Sequence, residues 1–142
     1  MWGLGSALLL YGIFFVGNYV SSLIFSFGPE QVGNIYNIRR EGQPLMIALI
    51  LFFITSPGEE IFWRGFLQKW AMARLGPLGG WLLAALVYGG VHLSSGNFML
   101  TMAALTAGLF WGFIYMKEKS LVPVIISHAF WTVGIFVFFP IL

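Results

Sequence analysis

Apolar runs separated by short polar or Gly/Pro breaks organise this chain. The first run, residues 2–27, is nearly free of charge. A bilayer core of about 30 Å is crossed by about 20 helical residues, so the run predicts a transmembrane helix. It lacks the basic start of a signal peptide and exceeds an ordinary signal core, so it reads as a retained helix. Gly3, Gly5, Gly12 and Gly17 within it suit close helix contacts. Residues 28–43 form a polar connector with Pro29, Glu30, Asn34, Asn37, Arg39, Arg40 and Glu41.

Pro44 suits the first turn of a new helix. The apolar run that follows continues through Pro57-Gly58, and it predicts one long, kinked helix over about residues 44–74. Two helices meeting at Pro57 are the alternative. Gly76-Pro77 ends this element. Residues 78–93 are a third span, ending in Tyr88-Gly89-Gly90-Val91-His92, and residues 94–97 are a turn. Residues 98–116 are a fourth span, with Gly108 and Gly112 at small-xxx-small spacing. After the Lys117-Glu118-Lys119 loop, residues 121–139 are a fifth span carrying Ser127, His128 and Thr132. The expected fold is an all-α, polytopic transmembrane bundle of about five spans. It divides into an N-terminal helix and connector, residues 1–43, and a core, residues 44–142.

Composition strengthens the membrane reading. The chain of 142 residues is 59% hydrophobic and 8% charged, where a soluble domain carries about 25% charged residues. Its net charge of +2 forms no basic stripe, so no nucleic-acid partner is expected. With no Cys, thiolate metal sites and a Cys nucleophile are excluded. There is no Asp, so carboxylate chemistry falls to Glu30, Glu41, Glu59, Glu60 or Glu118. With five spans, Lys69, Arg74, Lys117 and Lys119 share one side and Arg39 and Arg40 the other. That split favours a cytoplasmic place for the larger group.

Ionisable groups inside a membrane segment are costly and usually have a partner or a task. From Pro44 onward those other than Tyr are Glu59, Glu60, Arg64, His92 and His128, with Lys69 near enough to a helix end to snorkel. Glu60 and Arg64 stand four apart in the favourable order for an ion pair. Glu59 points about 100° away, which leaves it freer to act as a general base. Both Glu residues could instead only pair with Arg64 and hold the fold. Tyr88 and His92 share one helix face, as do His128 and Thr132. The only two His residues and the Glu pair lie on three different spans, and bundle sites are built from facing helices. One Glu and one His could deprotonate a water while the second His stabilises an oxyanion. The same set could hold a divalent metal such as zinc. No Gly-x-Ser-x-Gly elbow supports a serine mechanism.

Glu59-Glu60-x-x-x-Arg64-Gly65, Tyr88-x-x-x-His92 and His128-x-x-x-Thr132 together resemble the CPBP intramembrane proteases, the prenyl-endopeptidase-like or bacterial Abi family. The likeness covers residues 45–133. It implies a bacterial or archaeal cell-membrane endopeptidase acting on membrane-associated, CAAX-type prenylated substrates. It further implies that Glu59 and His92 act on a water and that His128 stabilises the oxyanion. Glu60 completes the catalytic set, and Arg64, Tyr88 and Thr132 support it. Thr132 stands where the family usually has Asn, and Tyr88 where Phe is common. Two rivals remain: a non-catalytic binding or bacteriocin-immunity-type protein using the same polar cavity, and a proton relay.

Overall fold

A computed structural model describes residues 2–37 and 42–142, and among them it is helical with no strand. Arg39, Arg40 and Glu41, part of the charge count above, lie outside the described residues. Helix α1 spans Trp2–Ile24 and a short α2 spans Gly28–Ile35. Helix α3 covers residues 44–75 and α4 residues 77–91. A tight turn, His92–Ser95, leads into α5, Phe98–Glu118. The last helix, α6, is Val122–Val133, prolonged by the widened turn Gly134–Phe138. Three stretches are long and apolar enough to cross a membrane: Gly3–Ile24, Pro44–Ser95 and Phe98–Glu118. The second contains both α3 and α4, and Val122–Phe138 is a shorter apolar helix.

Pro57 does not divide α3. It brings no N–H, and the preceding turn, Leu51–Thr55, is wound wide. The N–H and hydroxyl of Ser56 both reach the Leu51 carbonyl, the hydroxyl at 2.8 Å. After one α-helical turn, Ser56–Glu60, a second wide stretch covers Ile61–Gln68. Such widened turns inside α-helices are frequent at functional sites.

Gly76 makes a sharp turn between α3 and α4. Its φ of 76° and ψ of 170° break the helix, and only glycine adopts this region at little cost. Pro77 then starts α4 with a preset φ. The two helices fold back as a hairpin so close that a Cβ on Gly80 would lie 2.2 Å from the Met72 nitrogen. Backbone atoms cannot swing aside, so Gly80→Val should cost at least about 1–3 kcal/mol. A Tm drop of several degrees in detergent is expected, with Gly12→Ala as the control, since a Cβ there meets nothing within 4 Å. An unchanged Tm would show that the hairpin is looser than described.

Helix α5 closes the hairpin through Gly108 and Gly112, the small-xxx-small pair. A Cβ on Gly112 would come within 2.8 Å of the Trp81 ring, and one on Gly108 within 3.0 Å of Tyr88. Bare backbone lets α5 carbonyls accept hydrogen bonds from neighbouring helices, as membrane packing favours. Gln68 Nε2 donates to Gly112 O at 2.8 Å, and Trp81 Nε1 to Leu109 O at 2.9 Å. These contacts put Lys69, Arg74, Lys117 and Lys119 at the end of the bundle that carries the Gly76 turn. Helix α6 packs on α3 and α1, and Trp111, Val124 and Leu10 are buried between these layers.

Helix α2 is an addition to the expected connector. It sits over the N-terminal end of α5, where Gln31 Oε1 accepts from Met99 N at 3.0 Å. Asn97 Nδ2 donates to Gln31 O at 2.9 Å, and Asn97 Oδ1 caps α5 by accepting from Leu100 N.

Candidate active site

The carboxylates of Glu59 and Glu60 take different surroundings, as adjacent residues on a helix must. Glu60 is fully buried. Its Oε1 accepts from Arg64 Nη1 at 3.0 Å and from His128 Nδ1 at 2.7 Å. Arg64 is equally buried. It also donates through Nη2 to Gly108 O at 3.3 Å, and its guanidinium lies over the Tyr88 ring at 4.8 Å. Buried charges persist when paired and hydrogen-bonded, and this cluster meets both conditions through Oε1. Glu60 Oε2 has no partner.

His128 is held from two sides. Its Nδ1 faces Glu60, and its ring stacks on Trp111 with centroids 3.9 Å apart. Trp111 Nε1 is in turn tied to Ser127 Oγ at 3.1 Å. With the carboxylate accepting, Nδ1 carries the proton and Nε2 is the nitrogen left for chemistry.

Glu59 is only half-buried and sits against Tyr88 instead, whose hydroxyl donates to Glu59 Oε2 at 2.8 Å. Four residues on, His92 Nδ1 is 2.8 Å from the Tyr88 carbonyl oxygen. A carbonyl only accepts, so this fixes the proton on Nδ1 and leaves a lone pair on Nε2 of the neutral ring. The two rings meet edge to face with centroids 5.4 Å apart.

A cavity of about 500 Å³ brings most of the sequence-marked residues together. Glu59, Tyr88, His92, His128 and Thr132 all line it, among mainly apolar side chains. Glu60 and Arg64 do not; they lie behind its wall and hold His128 and Tyr88 in place. The cavity extends along α1, past Asn18 and Ser21, towards α2 at Val32, Ile35 and Tyr36. Two residues were missed from sequence. Trp111 carried no signal, because its span has no Glu, His, Lys or Arg before Lys117. Trp131 lies on the cavity wall one residue before Thr132, and both Trp131 Nε1 and Thr132 Oγ1 are buried without a hydrogen-bond partner.

The zinc alternative can be tested on the donors. Among the described residues, no three His or Glu side chains gather closely enough to hold a metal ion. The residues as placed do not fit such a site, and the chemistry below uses protein groups and water.

Fold and site together define a class: a helical integral membrane protein whose carboxylate and imidazole groups collect around one cavity between its helices. Within that class, the chain belongs to the Rce1-like family, described as type II CAAX prenyl endopeptidase Rce1-like, whose family model matches residues 41–134. The family is one of membrane proteases that act on membrane-associated substrates. No curated protein and no solved structure matches the chain.

Proposed function

We propose that the protein hydrolyses a peptide bond of a membrane-anchored, CAAX-type substrate inside this cavity. One observation carries the reading: Glu59 and His92 are both fixed by Tyr88, and both line the cavity that His128 and Thr132 also line. Glu59 Oε2 is engaged by Tyr88, so Oε1 is the oxygen free to take a proton. His92 Nε2 has a lone pair with which to hold a water by accepting one of its hydrogens.

Glu59 takes the other water proton as the hydroxide oxygen attacks the scissile carbonyl carbon, and the carbonyl oxygen becomes an oxyanion. His128 Nε2 can donate to that oxyanion when the ring carries both protons, and Glu60 is then its counter-charge. The Thr132 hydroxyl, without a partner in the resting protein, supplies a second donor. On collapse the C–N bond breaks, and Glu59 gives its proton to the departing amine. The walls around the developing charges are mainly apolar, and fixed donors act most strongly in such surroundings.

The test is cleavage of lipid-anchored peptides by the purified protein in proteoliposomes, with products identified by mass spectrometry. Cleavage at one bond is expected, slowed about 10²- to 10⁴-fold in His92→Ala. If that variant cleaves at the wild-type rate, His92 does not act on the water. If the wild type cleaves neither prenylated nor unprenylated anchored peptides, the protease reading falls.

A further inference from the structure

We infer that Tyr88 is a positioning residue that fixes the orientation of the Glu59 carboxylate towards the water and, through its own backbone, which nitrogen of His92 faces that water. This deepens the hydrolytic reading above and rests on it. The hydroxyl donates to Glu59 Oε2 at 2.8 Å, while the carbonyl of the same residue takes the proton-bearing Nδ1 of His92 at 2.8 Å.

The ring that carries this hydroxyl has little freedom. Trp63 meets it edge to face with centroids 5.2 Å apart, and the Arg64 guanidinium covers it at 4.8 Å. On the α5 side Gly108 leaves room for the ring and nothing more: a Cβ there would stand 3.0 Å from Tyr88 Cδ1. Tyr88 itself is only 6% exposed. A buried tyrosine hydroxyl needs a partner, and a carboxylate acceptor makes that bond a strong one. The same ring lies against Arg64, so the ion-paired cluster at Glu60 and the group that takes the water proton are joined through one side chain. Without the hydroxyl, the Glu59 carboxylate can swing away from the orientation that aims an oxygen at the water, and proton transfer must wait for its return.

Tyr88→Phe removes the hydroxyl and keeps the ring, its edge contacts and the backbone carbonyl that holds His92. The expected result is a kcat about ten- to a hundredfold lower with KM within twofold. A residue that only packs would leave kcat unchanged in this isosteric variant, and that result would overturn the inference. A second readout needs no turnover: labelling of Glu59 by a membrane-permeant carbodiimide, quantified by mass spectrometry. The freed carboxyl of Tyr88→Phe should label several-fold faster than in the wild type, and equal labelling would also overturn the inference. A wild type that cleaves nothing, with faster labelling in Tyr88→Phe, would sink the protease reading and leave the Tyr88 contact standing.

Discussion

Glu59→Gln should reduce peptide cleavage by at least about 10³-fold while leaving the protein folded and inserted. The amide has nearly the shape of the carboxylate, and its oxygen can still accept the Tyr88 hydroxyl that now reaches Oε2 at 2.8 Å. It cannot take a proton from water at any useful rate. The lost general base is worth about 10²- to 10⁴-fold, and the proton that should reach the leaving amine is lost with it. The measurement is the cleavage rate in proteoliposomes beside the Tm of the same preparation. A rate within tenfold of wild type, with Tm unchanged, would assign the base to another group and dismantle the mechanism.

The second large effect is on stability. Arg64→Met keeps an unbranched apolar stem and removes the cation. Glu60, fully buried, then keeps only His128 on Oε1. Breaking a buried pair from one side costs about 3–5 kcal/mol, because an uncompensated charge stays behind. The cation–π contact with Tyr88 and the bond to Gly108 O go as well. Removing both charges, as Arg64→Met with Glu60→Gln, should restore much of the loss, since apolar or neutral replacements of buried pairs are often tolerated. Thermal unfolding in detergent reads both variants. A double variant as unstable as the single one would mean that packing around the guanidinium, and not charge compensation, holds this part of the bundle. Arg64→Lys is no substitute, because the ammonium lacks the planar fork that serves Glu60 and Gly108 together.

The main course of the chain was legible because lipid leaves few choices: backbone groups must be satisfied within helices, so apolar run lengths translate directly into elements. Gly76-Pro77 announced its break, and Glu60 and Arg64 announced their pairing by a spacing of four. Helix α2 was not legible. Its Gly28, Gly33 and Asn34 are weak helix formers, and the contacts of Gln31 with the start of α5 help hold it in place. The wide turns around Pro57 leave no mark in composition either. Nothing in a single sequence ties Glu60 to His128 across 68 positions, nor Trp111 to either, since side chains on separate helices carry no shared periodicity. The Tyr88 hydroxyl was visible as a residue four before His92, but its aim at Glu59 depends on the hairpin bringing two helices together.

That hairpin has a consequence for biosynthesis. Glu59, Arg64, Tyr88 and His92 lie within one short stretch of chain, so their hydrogen bonds with one another and with Glu60 involve nothing made later, while Gly108 of α5 closes over Arg64 and the Tyr88 ring afterwards. Arg64 leaves the ribosome almost together with Glu60, and the acid enters the bilayer already matched by a cation. His128 comes later, on α6. Any hydrolytic set that includes it stays incomplete in the nascent chain until that helix has been made and packed.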